Sequence, residues 1–189
     1  MASDSGHRSD TYFLCGVRVG FRLWTPNDFP HALSLWGDPE VTRFIHARGP
    51  LNGDQVRERL LKEIATQEAY GVQYWMVFLL DTGDFLGCGG LRPYKLGEGV
   101  YEMGAHLRTR YWGQGFATEV AEAVMAHAFG RLGVASLFAG HHPNNQASRG
   151  LLQKLGFRYT HDEYYAPTGL RHPSYLLTRE EFGKASRSG

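Results

Sequence analysis

Cysteine is scarce in this chain: Cys15 and Cys88 are the only two in 189 residues. Two thiols cannot build the disulfide framework of a small secreted domain, and a reduced, cytoplasmic compartment is the simpler expectation. Long apolar runs are missing as well. No stretch of about 18 apolar residues occurs, so no transmembrane helix is expected. Residues 1–10 are polar and lack the apolar centre of a secretory signal. Neither sign of charge is in excess, since 20 Lys and Arg stand against 19 Asp and Glu for a net charge of +1. That balance gives no electrostatic case for nucleic acid or an anionic membrane as partner. No internal repeat or low-complexity segment is present. His141-His142 is the one pairing that hints at metal. Neighbours on a strand point to opposite faces and no third ligand is evident, so no metal site is expected.

What is present reads as an ordinary soluble domain, with 42% hydrophobic and 21% charged residues. The expected boundaries are a polar tail at 1–10, one domain over 11–183 and a second tail at 184–189. Phe13 to Trp24 alternates in part and predicts a first strand. Thr25-Pro26-Asn27-Asp28 is a helix start, capped by Thr25 or by Asp28, for a short helix ending near Gly37. Asn52 and Gln55 form a capping box ahead of Val56, Leu60 and Ile64, with the Arg and Glu residues between them expected on the wet side. Gln73 to Asp81 predicts a strand buried on both faces. Thr82-Gly83 turns it into Phe85 to Leu91, whose glycines suggest a bulge or close packing. Val100 to Leu107 predicts another strand, and so does Ala135 to His141. A helix capped by Asn144 or Asn145 ends at Gly156. Phe157 to Asp162 and Ser174 to Thr178 make a last pair across a Tyr164 to Pro173 loop. The order is an α/β fold: a mixed sheet of about seven strands with about four helices, not doubly wound, because three strands follow one another.

The stretch from Leu107 to Gly133 is the most informative. It leaves a buried strand, passes an Arg- and Gly-rich turn and enters a helix. The apolar face of that helix is Ala117, Val120, Ala121, Val124, Met125 and Ala128. Gly113 and Gly115 let the backbone approach a ligand at a helix start whose first N–H groups lack partners. Phosphate or pyrophosphate suits such a place, and Arg108 and Arg110 add positive charge beside it. Two familiar phosphate motifs are excluded. Thr118 stands where a G-x-G-x-x-G would need its third glycine, and no Gly-Lys-Ser/Thr follows.

Arg110-Tyr111-Trp112-Gly113-Gln114-Gly115, continued by Phe116-Ala117-Thr118-Glu119, resembles the acetyl-CoA-binding motif of the GNAT N-acetyltransferases. It is similar above all to the branch with the Rim-type ribosomal-protein N-terminal acetyltransferases. A second block, Asn145-Gln146-Ala147-Ser148 and then Lys154-Leu155-Gly156-Phe157, matches the family's downstream pattern in order and spacing. The resemblance spans about Val19 to Glu181. It implies a GNAT-like acyl-CoA N-acyltransferase fold and acetyl-CoA as acyl donor. The acceptor would be a primary amine: a protein N-terminus or a small amine such as an antibiotic or polyamine. A homodimer is left open.

The resemblance also implies site roles. Coenzyme A would lie where the Val100 and Leu137 strands splay, with pantetheine paired to the backbone at Leu107 and Arg108. The amides of Gly113, Gln114, Gly115, Phe116 and Ala117 would hold the pyrophosphate, with Arg110 and Thr118 in the same motif. Asn145 would bond the pantetheine arm, and Lys154 is a candidate near adenine or simply a last-turn cation. Deprotonating an α-amine of pKa about 8 costs only about 1.4 kcal/mol at pH 7, against about 4.6 kcal/mol for a lysine. Glu102 is the candidate base, in a position where Glu is common in this branch. Period two puts His106, the rival base, on the same face. Ser148 is the candidate donor to the leaving thiolate. Two departures stand out. Leu152 replaces a Tyr that many relatives use near the sulfur, which keeps open a CoA-binding sensor without turnover, and Ala105 replaces a common aromatic.

Overall fold

A computed structural model describes residues 11–185. The expected tail at 1–10 lies outside the described residues, as do residues 186–189 of the expected tail at 184–189. The elements in chain order are β1 (Leu14–Cys15), β2 (Val19–Arg22), α1 (Phe29–Trp36), α2 (Pro39–Thr42), α3 (Gly53–Tyr70), β3 (Tyr74–Leu79), β4 (Phe85–Lys95), β5 (Val100–Leu107), α4 (Phe116–Gly130), β6 (Ser136–Gly140), α5 (Gln146–Lys154), β7 (Arg158–Tyr165), β8 (Leu170–Thr178) and α6 (Arg179–Ala185). One eight-stranded sheet runs in the order β1-β2-β3-β4-β5-β6-β8-β7. Every pairing is antiparallel except β5 with β6. A parallel pair needs a crossover, and α4 supplies it. Among the described residues no helix is long and apolar enough to cross a membrane.

The mixed sheet follows the expectation, with eight strands and six helices among the described residues in place of about seven and about four. The expected first strand is broken by the turn at Gly16–Arg18 into β1 and β2. α2 has four residues and α6 seven, too few to leave a periodic pattern. α6 runs through Lys184 and Ala185, so the helix passes the expected domain end at 183. The expected loop from Tyr164 to Pro173 is largely strand: β7 and β8 pair from Arg158↔Leu176 to Tyr165↔Leu170 around a tight turn.

The sheet buries both faces. Val120, Val124, Met125 and Ala128 of α4 pack with Trp75, Val77, Met103 and Leu137 on one side. Leu35, Trp36, Val56 and Leu60 pack with Tyr74, Met76, Phe78 and Cys88 on the other. β3 therefore sends alternate residues into both layers, as its unbroken apolar run predicts. The capping box is also as read: the Asn52 side chain accepts from Gln55 N–H, and Gln55 accepts from Asn52 N–H.

α3 keeps only part of its charge wet: Arg57 and Glu58 are exposed as expected, but Arg59 is half-buried and Glu63 is buried. Glu63 is 2% exposed, and Arg59 and Gln67 lie on the same inward stripe four residues to either side. The physical reason is partners. Glu63 pairs with Arg92 of β4 and accepts the backbone N–H of Tyr74. Gln67 accepts the indole N–H of Trp75 at 3.0 Å. A buried carboxylate is tolerable only when paired and hydrogen-bonded in this way. Removing it by Glu63→Ala strands Arg92 and the Tyr74 amide together. The expected loss is about 3 kcal/mol of unfolding free energy in urea titrations; a loss below about 0.5 kcal/mol would contradict this role.

Candidate active site

The site starts where β5 and β6 part. They pair at Val100↔Ser136, Tyr101↔Leu137 and Glu102↔Phe138, and no further. β5 continues to Leu107, still bonded to β4, while β6 continues to Gly140 bonded to β8. Past Glu102 the β6 side of β5 thus has no strand on it. Leu107 leads into a single turn of 3-10 helix and then to the start of α4.

That start differs from those of α3 and α5. Asn52 caps α3 and Asn145 caps α5 with a side-chain oxygen. The α4 cap is Gly115 at φ 81°, with no side-chain hydrogen bond to the first turn. Gly113, at φ 72°, makes the same left-handed step two residues earlier, a conformation that side chains resist. The first-turn amides are left for another acceptor. Gly113, Gln114 and Gly115 are exposed, Phe116 is buried, and Ala117 and Thr118 are half-buried.

The loop is tied down from both sides. Gln114 donates its side-chain amide to the Arg110 carbonyl at 2.8 Å. The Trp112 indole donates to the Leu107 carbonyl at 2.8 Å, so one lone pair of that carbonyl already has a partner. Arg108 sends N–H groups to the Leu86 and Phe85 carbonyls. Arg110 is half-exposed, 3.9 Å from Asp84. Arg18, from the turn between β1 and β2, grips the α4 start: its Nε donates to Glu119 at 2.8 Å and its guanidinium lies 4.2 Å from the Phe116 ring centre. Sequence reasoning missed Arg18, which lies almost a hundred residues away with no local signal.

On the α3 side of the sheet, Glu102 accepts a hydrogen bond from the Tyr74 hydroxyl at 3.1 Å. Burial first, and then the Glu102 charge, raises the Tyr74 pKa well above the ordinary phenol value, so Tyr74 remains a donor. The Arg92 guanidinium lies 4.0 Å from the Tyr74 ring centre. Gly104 makes room for this: a Cβ there would collide with the Tyr74 hydroxyl. His106 lies on the same face, as period two predicts, with its ring 5.6 Å from that of Tyr74. Trp36 donates its indole N–H to His106 Nδ1 at 3.3 Å. An indole nitrogen only donates, so Nδ1 is the acceptor and the ring proton belongs on Nε2. Cys88 Sγ sits 3.8 Å from the same nitrogen. Burial pushes the Cys88 thiol up to about 12, followed by the charge of Glu63. Both cysteines are free thiols.

α5 places the second block. Asn145 Oδ1 accepts Ser148 N–H at 3.0 Å, which commits the oxygen and leaves its amide N–H groups. Ser148 is half-buried in the first turn, and Lys154 is exposed in the last turn. Leu152 is a core residue, packed in the cluster that holds Phe157 and Tyr175. Ala105 is exposed on the face opposite Glu102. His141 stacks on Tyr175 and His142 lies beside Phe44, 5.1 Å between ring centres. A pocket of about 280 Å³ lies around α5, β7 and β8, lined by His141, Arg149, Gln153, Phe157, Tyr159 and Tyr175 among others. It includes neither Glu102 nor the α4 start, and the chemistry is better placed at the strand gap, where unpaired backbone and a carboxylate meet.

Burial, and then the positive charges of Arg59 and Arg92, hold the His106 pKa well below the ordinary imidazole value. An unfolded histidine titrates near pH 6.5. The unfolded chain therefore takes up a proton that the folded ring refuses, and this residue's contribution to stability is lost as pH falls through 6.5. Nuclear magnetic resonance should show His106 as a neutral Nε2–H ring from pH 8 down to about 5.5. A midpoint near 6.5 would contradict the hydrogen bonding described.

Comparison with known proteins comes down on the same side as this geometry. The acetyltransferase (GNAT) domain family matches residues 18–158. The uncharacterized protein YkkB of Bacillus subtilis is 31% identical over 127 residues, covering 67% of this chain and 73% of that protein. FsC-acetyl coenzyme A-N(2)-transacetylase of Aspergillus fumigatus is 29% identical over 163 residues, covering 77% and 67%. The crystal structure of a GNAT-family acetyltransferase from Bacillus anthracis superposes with a TM-score of 0.76 at 21% identity, over 89% of this chain and 99% of the other. With the split parallel pair, the glycine-capped helix and this match over most of its length, the chain belongs to the GNAT acetyltransferase family.

Proposed function

We propose that this acetyltransferase moves an acetyl group from acetyl-CoA directly to a primary amine, foremost the α-amine of a protein N-terminus. The observation that carries the reading is the uncapped, glycine-led start of α4 at the end of the strand that has lost its partner. GNAT domains use acetyl-CoA as acyl donor, and the residues fit it. A diphosphate would take the amides of Gly113, Gln114, Gly115, Phe116 and Ala117, with Thr118 in the same turn and the charges of Arg108 and Arg110 nearby. The backbone at Leu107 and Arg108 would pair with the amide-bearing arm, joined by the Asn145 side-chain N–H groups. Lys154, exposed in the last turn of α5, would stand near the adenine end. The residues from 11 to 183 would act as one catalytic domain.

Glu102 is the base. Its carboxylate is fixed by Tyr74, which donates and cannot take the proton. It receives a proton from the amine as nitrogen attacks the thioester carbonyl. The C–N bond forms, the C–S bond breaks, and the thiolate leaves with a hydrogen bond from Ser148. His106 is set aside as base, because Trp36 occupies its acceptor nitrogen and its proton affinity is low. An α-amine asks less of a carboxylate than a lysine does, which supports the N-terminal acceptor, as does the resemblance to the Rim-type branch. A second reading is a small-molecule amine; the likeness to the Aspergillus N(2)-transacetylase supports N-acetylation in general and does not by its name call for a protein N-terminus.

Thiol release from acetyl-CoA with a panel of peptides and small amines tests this. Glu102→Gln should lower kcat with saturating amine by about 100-fold or more while CoA affinity stays within about twofold. An unchanged kcat would remove Glu102 from the mechanism. Ser148→Ala should lower kcat by about tenfold; a loss confined to CoA affinity would make it a binding residue only.

A further inference from the structure

The inward stripe of α3 carries one group that the fold does not use. Glu63 is committed to Arg92 and Tyr74, and Gln67 to Trp75. Arg59 stands between Val56 and Glu63 on the same side. Its guanidinium lies 4.6 Å from the Trp36 ring centre, and its Nε is buried with no hydrogen-bond partner. Among the described residues Arg59 forms no ion pair. Arg59 is half-buried overall, but a buried N–H without an acceptor is costly, and arginine is the side chain best shaped to receive a carboxylate.

Its surroundings say where that carboxylate would sit. Arg59 acts electrostatically on His106, on Tyr74 and on Tyr165 at the end of β7. Tyr165 also feels Glu102 and Arg92. The turn after Tyr165 comes back to the segment following α2, where the Ala47 N–H donates to the Pro167 carbonyl at 3.0 Å. Trp36 ties Arg59 to the layer of Glu102: it lies against the guanidinium and donates to His106, whose ring is 5.6 Å from that of Tyr74, the donor to Glu102. The fixed charges there are Arg59 and Arg92 against Glu63 and Glu102. Once Glu102 has taken a proton from the acceptor, the cluster carries one positive charge too many.

We propose that the acceptor is an amine bearing a carboxylate close to its amino nitrogen, and that Arg59 receives this carboxylate while Glu102 faces the amine. The inference rests on the proposed role of Glu102 and adds the substrate class. Two sources share this chemistry: the side chain of an acidic first residue in a peptide, and the α-carboxylate of a free amino acid. The carboxylate both neutralises Arg59 and orients the amine, so a neutral twin loses affinity as well as alignment.

Calorimetry on the full chain saturated with CoA, a dead-end complex that transfers nothing, tests it apart from turnover. The probes are the amidated tripeptides Asp-Ala-Ala and Asn-Ala-Ala, and leucine against leucinamide. At least one carboxylate member should bind about ten- to hundredfold tighter than its twin, and the pair that does so names the source. Arg59→Gln should bring that ratio to about twofold or less, and Arg59→Lys should keep part of it. Equal binding within both pairs overturns the proposal. A preference that survives Arg59→Gln does the same, and so does the absence of binding by all four at millimolar concentration. Thiol release with the same amines reports the transfer reaction separately: none with any amine would sink the acetyl-transfer reading while the calorimetric ratio still decides the role of Arg59.

Discussion

Three residue pairs hold β5 to β6, and the open strand edge beside α4 follows from their being only three. A parallel pair carried to Leu107 would be a sealed sheet with no backbone to offer. Because β6 stays with β8 and β5 stays with β4, the two diverge, and unpaired peptide groups face each other across a gap. Such groups need partners in water or in a ligand. The crossover helix α4 then begins at the open end of that gap, with its first amides uncapped. Sheet topology thus assembles a strand edge and a helix start that neither element would supply alone.

The opposite side of the sheet solves a different problem. Glu102 projects from β5 into the α3-side layer, among Tyr74, Arg92 and His106. It persists there because Tyr74 bonds to it and Arg92 stands opposite on β4. Tyr74 in turn is held by Glu63 through its backbone and by Arg92 across its ring. A carboxylate in this setting has one fixed donor, as the proposed base requires. A buried network of this kind costs much to break in part, since removing one member leaves another charge without its partner. Gly104 belongs to the same device, being the gap through which the Tyr74 hydroxyl reaches β5.

Much of this was legible in the sequence wherever the signal is local or periodic. The both-face burial of β3 follows from its unbroken apolar run. The Asn52 and Gln55 box, the Gly156 terminator and the apolar face of α4 follow from spacing. The glycine-rich turn at 113–115 follows from its composition and from its place between a strand and a helix. The polar stripe of α3 was not legible. Arg59 and Glu63 read as part of a solvated face because nothing on the helix itself calls for their burial, and Gln67 carried no signal; the demand comes from the Tyr74 amide, Arg92 and the Trp75 indole, on strands that follow later in the chain. Arg18 escaped for the same reason, and the short helices α2 and α6 because a few residues carry no period. Long-range polar pairing is the common cause, and hydrophobic pattern does not encode it.

The central claim is that main-chain nitrogens at the α4 start take the diphosphate of coenzyme A. Amide chemical shifts read this residue by residue. Adding coenzyme A to the isotope-labelled protein should move the backbone N–H signals of Gly113 through Thr118 along with those flanking the strand gap, whereas pantetheine, which lacks the diphosphate, should move only the latter. Large shifts at 113–118 with both compounds, or with neither, would contradict the account.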